Sequence, residues 1–238
     1  MKRIYWIGLF AVLGLFTHAQ EPVKVEDKIF NWGAKLGLNS TFPIINSISI
    51  DDKKAENIRL QYRVGFLVAT FCRINFDAFF IQPSISWHRS SGDIHFNLPV
   101  DPVKTGTLAA TRNFDQLNYT VNSVEVPMLI GYKIVNESPY GLSFMAGPNI
   151  KYSYNIKYES DFYDSPRKYI SDSTPWGINI VCGVGVSIWR FFFDVTYEFG
   201  LNQVDSDFKD NSSKEPSENN ITIDKRTNVM SFSLGFLF

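Results

Sequence analysis

The 238-residue chain has the length of a single domain, and its 23 Lys and Arg against 24 Asp and Glu exclude the basic stripe that nucleic acid demands. Beyond the N-terminus no apolar run reaches the roughly 20 residues of a bilayer helix, so membrane residence by helices is excluded. Two cysteines form no zinc signature and no disulfide framework.

At the start, Lys2 and Arg3 precede an apolar stretch over residues 4–16, and Thr17-His18-Ala19 offers a small-residue cleavage site before Gln20. This pattern predicts a secretory signal over 1–19 rather than a transmembrane anchor, for which the run is too short. No Cys follows the cut, which argues against a lipoprotein. Without Lys2 and Arg3 the mature chain has 21 basic residues against 24 acidic. Residues 20–29 read as a periplasmic lead-in and 30–238 as one domain, with no compositional break inside it.

Strands are predicted in order at 30–40, 59–73, 77–89, 121–134, 140–154, 176–188, 190–201 and 227–238, about eight in all. The connections 41–57, 90–115, 155–175 and 202–226 are long and polar, whereas 74–76, 135–139 and residue 189 are brief. In the closing segment, Asn228, Met230, Phe232, Leu234, Phe236 and Phe238 share one parity, and Val229, Ser231, Ser233, Gly235 and Leu237 the other. Alternation ending on a terminal Phe is how the last strand of a membrane-spanning β-barrel reads, with Phe236 and Phe238 as a C-terminal barrel signal.

Which face points inward is decided by glycine. Gly33, Gly37, Gly65, Gly131, Gly141, Gly147, Gly177, Gly183, Gly185, Gly200 and Gly235 fall on the polar parity. A water-facing exterior would favour Thr, Lys or Glu there, but a narrow lumen needs small residues. The rival, a water-soluble calyx with the oily face inside, is therefore the weaker reading. Aromatic residues make up 16% of the chain and sort into two belts, as bilayer boundaries require. Phe30, Trp32, Phe71, Phe79, Tyr132, Tyr140, Phe191 and Phe238 lie near the turn ends, and Tyr62, Trp87, Tyr152, Tyr154, Trp176, Tyr197 and Phe199 near the loop ends. Aliphatic Val64, Ile130, Ile180 and Leu234 separate the belts. Pro83, Pro127 and Pro148 lie mid-run, where a missing N–H interrupts the ladder, and predict bulges.

At Phe80-Ile81-Gln82-Pro83, Val124-Glu125-Val126-Pro127, Ala146-Gly147-Pro148, Gly183-Val184-Gly185 and the closing Leu234-Gly235-Phe236-Leu237-Phe238, the chain resembles the outer-membrane β-barrel family common in Bacteroidota, often called PorT-like. In overall design it is similar to the small barrels of OmpA and OmpX type. The resemblance implies an antiparallel, up-and-down barrel in a Gram-negative outer membrane, with periplasmic termini and tight turns and extracellular loops. It also implies, for its founding member, an accessory place in type IX secretion and gliding. Close PorT relatives carry an Arg-containing third strand and a different turn after the fourth, where this chain has Ser84-Ile85-Ser86-Trp87 and Val135-Asn136-Glu137-Ser138.

Inside the barrel, parity places Lys35, Arg63, Glu125, Lys133, Lys151, Asp194 and Glu198, with Glu125, Arg63 and Glu198 expected at the centre of the network. Side chains just fill an eight-stranded barrel, so these charges read as a paired plug rather than an ion path. His88 and His95 belong to no nucleophile or metal motif, and His88 is expected as a rim histidine. Cys72 and Cys182 fall on the lipid-facing parity of opposite walls, as free thiols. Acidic groups at Asp161, Asp164 and Asp172, and at Asp205, Asp207 and Asp210, have no ligand spacing and read as solvated loop charge. The expected function is structural or interactive, carried by loops on a rigid scaffold, with no enzyme activity and no cofactor. Expected partners are outer-membrane lipid and lipopolysaccharide, the barrel-assembly machinery and a protein met through the loops, with no nucleic acid. A narrow pore and a small membrane-embedded enzyme are lesser alternatives.

Overall fold

The computed structural model describes residues 28–50, 53–54, 56–97, 115–162, 165–171, 175–202, 204–210 and 220–238. The predicted signal and residues 20–27 lie outside them, as do Asp164 and Asp172. The strands are β1 (Phe30–Ile50), β2 (Lys53–Lys54), β3 (Glu56–Tyr62), β4 (Val64–Phe76), β5 (Phe79–Asn97), β6 (Asp115–Glu137), β7 (Tyr140–Phe162), β8 (Ser165–Ser171), β9 (Trp176–Ile188), β10 (Phe191–Gly200), β11 (Val204–Asp210) and β12 (Asn220–Leu237). Eight of them close a ring in the order β1, β4, β5, β6, β7, β9, β10, β12 and back to β1, every neighbour antiparallel. Closure removes the free edges that lipid could not satisfy. No helix among the described residues is long and apolar enough to cross a membrane, and the crossing elements are strands.

β4 shows why the wall folds as it does. Val64, Phe66 and Val68 point outward and are exposed, whereas Gly65, Leu67, Ala69 and Phe71 between them are buried. The same alternation runs around the ring, leaving Trp32, Leu36, Ile130, Ile180, Val186 and Leu234 exposed on the outside. So large an apolar exterior fits acyl chains and is incompatible with a water-soluble calyx. The glycines face inward, and four have an aromatic residue directly opposite on the next strand: Gly33 with Phe71, Gly131 with Phe80, Gly92 with Tyr119 and Gly235 with Phe192. A Cβ on Gly131 would stand 2.0 Å from the Phe80 ring, and one on Gly235 2.2 Å from the Phe192 ring. Each ring thus lies over the backbone of its glycine partner.

Three sequence expectations need correction. First, strands run well into the predicted loops: β1 reaches Ile50, β5 reaches Asn97, and β8 and β11 pair with each other and with β7 and β12. Past the bilayer both faces meet water, so a strand no longer needs oily alternation and its register is set by its neighbour. The turn expected at 74–76 is instead the end of β4, and the tight connections are Asp77-Ala78, Ser138-Pro139 and Trp189-Arg190. Second, Phe71 does not belong to the outer belt, because it shares the inward parity of Gly65 and Leu67 and is 2% exposed. Third, the prolines cause no bulge. Pro83 pairs with Met128, Pro127 with Asn149 and Pro148 with Ile180 without a shift of register. The bulges lie elsewhere, between β6 and β7 at Thr120/Asn122 and Lys133/Val135, between β1 and β12 at Ile45/Ser47, and between β3 and β5 at Glu56/Arg59.

Candidate functional site

The lumen has two storeys. Near the turn end it is filled by apolar side chains, with Phe71, Phe192 and Leu237 in one cluster and Phe80, Leu129, Met145 and Val181 in the other. Phe71 and Phe192 meet edge to face, their centroids 5.2 Å apart. Arg73 covers this plug. Its guanidinium carbon lies 4.4 Å from the Phe80 centroid and 5.9 Å from those of Phe71 and Phe192, while Nε and Nη2 donate to Gln82 Oε1 at 2.9 and 2.8 Å.

Above the plug the lining turns polar. Glu125 is directly opposite Lys151 on β7, and the Lys151 ammonium is 2.9 Å from Glu125 Oε1. Asn149 Nδ2 donates to Glu125 Oε2 at 3.0 Å, and Ser123 Oγ to Oε1 at 3.1 Å. Glu198 accepts from Asn179 and lines the same small cavity as Glu125. On the other side of the lumen Lys35 Nζ is 2.9 Å from Asp194 Oδ2, and Ser233 donates to the same carboxylate. Buried charges are tolerable when paired and bonded in this way. A cavity of about 40 Å³ lies among Lys35, His88, Glu125, Asn149 and Glu198, large enough for water. His88 Nδ1 and Asn149 Oδ1 have no hydrogen-bond partner among the described residues, and both residues line that cavity.

Of the charges assigned to the lumen, Glu125 pairs with Lys151 and Lys35 with Asp194, while Glu198 lines a cavity together with Glu125 and Lys35. Two stand apart. Lys133 lines the turn-end mouth with Arg73 and Asn75. Arg63 is not at the network centre: it falls in the break between β3 and β4, where parity is lost, and its Nε binds Asp93 Oδ2 at 2.8 Å with over half the side chain exposed. His88 is no rim histidine, because β5 continues to Asn97 and leaves it buried at mid-strand. It has neighbours that its lone appearance in sequence concealed. Ser86 Oγ is 3.1 Å and Glu125 Oε2 3.6 Å from the ring, but both approach Nε2. A Ser-His-acid relay needs the hydroxyl and the carboxylate on opposite nitrogens, so this trio does not build one.

Gln82, Asn149 and Asn179 escaped the sequence reading because uncharged side chains carry no charge signal, and Arg73 because it shares the parity of Phe71, which was expected in the outer belt. The belt residues Trp32, Phe79, Tyr132, Tyr152 and Trp176 are outward and exposed, and Trp87 and Tyr197 are outward and half-buried. Phe238 stacks on Trp32 at 4.1 Å, and Phe236 touches Phe191 and Phe238 at 5.2 and 5.1 Å. Cys72 and Cys182 are free and face outward from opposite walls. Among the described residues no cluster of three or more metal-ligating side chains occurs.

Residues 18–206 match the model of the outer membrane protein beta-barrel domain. The chain belongs to that family. Among solved structures, this outer membrane barrel is similar to OprG from Pseudomonas aeruginosa, with a TM-score of 0.55 at 10% identity over 91% of this chain and 99% of that one. It is also similar to Ail from Yersinia pestis, solved with the heparin analogue sucrose octasulfate (TM-score 0.38, 11% identity, 89% and 100% covered). Neisserial surface protein A gives a TM-score of 0.37 at 12% identity, with 89% and 98% covered. At these identities the likeness to OprG carries the barrel fold and nothing of its activity. Among curated proteins no relative matches the chain.

Proposed function

We propose that this outer-membrane barrel is a structural and interaction protein that presents its long connections to the cell exterior and keeps its turns and both termini in the periplasm. The observation that carries the reading is the pairing of a filled lumen with tall walls. Apolar residues and Arg73 close the turn end, whereas β1, β5, β6, β7 and β12 continue as paired strands toward the loop end. Such a body suits display on a rigid frame better than transport. The test removes residues 98–114 or 211–219 and compares folding with the proteins crosslinked to the barrel on intact cells. Both variants are expected to insert as wild type and to lose a crosslinked partner; an unchanged crosslinking profile in both overturns the proposal. Labelling of a cysteine placed within 211–219 by an impermeant maleimide on whole cells is expected, and its absence would reverse the sidedness.

A second reading is an accessory role in type IX secretion. Its support is that the PorT-like segments converge, with Phe80, Gln82, Glu125 and Gly147 all on the inner face. These residues build the plug and the network, so the likeness speaks for a shared lumen more than for a shared cargo. A gene deletion that leaves secretion normal would end this reading.

A further inference from the structure

On the outer face near the loop end, one patch breaks the oily pattern. Arg89 on β5 is followed across the wall by Asn122 on β6 and Tyr154 on β7, while Thr120 pairs with Lys157. All five project outward, and Arg89, Tyr154 and Lys157 are exposed. Beneath them Trp87 Nε1 donates to Tyr154 Oη at 2.7 Å, reaching from β5 over β6 to β7. A hydrogen-bonded Trp–Tyr pair at that height marks the boundary where hydrocarbon ends.

The placing of Lys157 is the second, independent observation. Continued from Tyr154, simple alternation would aim Lys157 into the lumen. A bulge intervenes: three steps on β7 span two on β6, and Asn155 adopts φ 52°. The extra residue turns Lys157 outward, and re-aiming a side chain is what bulges do. The two cations are then on strands two spacings apart, about 10 Å, and differ by about 7 Å in height, a gap that two long side chains can close around one anion. Neither the Arg89 nor the Lys157 side chain has a hydrogen bond or ion pair among the described residues. The nearby Asp93 is buried and engaged by Arg63.

We infer that this patch seats the phosphorylated sugar headgroup of an outer-leaflet glycolipid, with the phosphate between Arg89 and Lys157 and sugar hydroxyls on Asn122 and Thr120. Its acyl chains run down the apolar wall that begins at Val124, Val126 and Ile150. Charge complementarity selects the phosphate, and continuity with the oily wall selects a lipid over a soluble anion.

The test refolds the full chain into phosphatidylcholine vesicles containing lipid A, extracts it in mild detergent and counts lipid A retained per barrel by native mass spectrometry. Wild type and Arg226→Gln, which removes an exposed cation on β12, are expected to retain several-fold more than the Arg89→Gln/Lys157→Gln double variant. Dephosphorylated lipid A is expected to be retained poorly by all three. Equal retention by wild type and the double variant, or indifference to the phosphates, overturns the inference. Displacement of the lipid by excess glucose 1-phosphate would identify a soluble phosphate ligand and overturn the membrane source. Heat-modifiable migration on gels confirms that each variant is folded. Because the count is made in detergent, it does not depend on sidedness or on the loops, so its failure and that of the display role are distinguishable.

Discussion

Inside a narrow barrel a missing side chain matters as much as a large one. Phe80 occupies the space where any Cβ on Gly131 would lie, so Gly131→Val is expected to cost about 1–3 kcal/mol through overpacking. In a Phe80→Ala background the same change should cost much less, which a double-mutant cycle in urea, read by tryptophan fluorescence, would detect. The charges follow a related logic. Lys151→Met leaves Glu125 buried with Asn149 and Ser123 but without its cation, at an expected cost of about 3 kcal/mol, whereas Glu125→Leu/Lys151→Met should cost less because the carboxylate is removed together with its cation. Parity in the sequence was enough to point Glu125, Lys151, Asp194, Glu198 and Lys35 inward. It could not report that Arg63 leaves the ladder to meet Asp93, nor which acid each lysine joins, because partners are chosen by register between strands far apart in the chain.

At the scale of the element, alternation located all eight ring strands but not their lengths. Hydrophobic contrast disappears where a strand leaves the bilayer, so the outer halves of β1, β5, β6, β7 and β12 looked like loop. The prolines misled for another reason: each removes one donor, yet the strands on either side hold their register, so no residue had to be added. Asn155 shows the opposite case, a bulge with no proline. Its left-handed backbone suits Asn or Gly and disfavours a β-branched residue. Asn155→Gly is expected to be nearly neutral and Asn155→Ile to cost about 1–2 kcal/mol, measured by the same unfolding assay. Equal stability of the two variants would show that the bulge tolerates any residue, and Lys157 would then owe its direction to something other than the turn of the chain at Asn155.

For the whole molecule, the decisive question is whether the cylinder conducts. Closure into eight strands leaves an interior that side chains just fill, and here they fill it with two kinds of material. The polar storey holds fixed charge pairs around a cavity of about 40 Å³, so water can enter without finding a through path. The apolar storey lies below it, where Phe71, Phe80, Phe192, Leu129 and Met145 are each no more than 3% exposed and Arg73 is held by Gln82 and three rings. An ion descending the axis would have to shed its water at that level among closely packed rings. Wild-type protein in a planar bilayer is therefore expected to give no steady current. The argument also names the obstruction, which makes it more than a negative. Phe80→Ala/Phe192→Ala/Arg73→Ser removes two rings and their cover while leaving the Glu125–Lys151 and Lys35–Asp194 pairs in place, and should open a narrow conductance. Retained heat-modifiable migration would show that the variant is still a barrel. Steady current through wild type would mean that the plug yields under voltage, and silence in the folded triple variant would move the barrier up to the charge network.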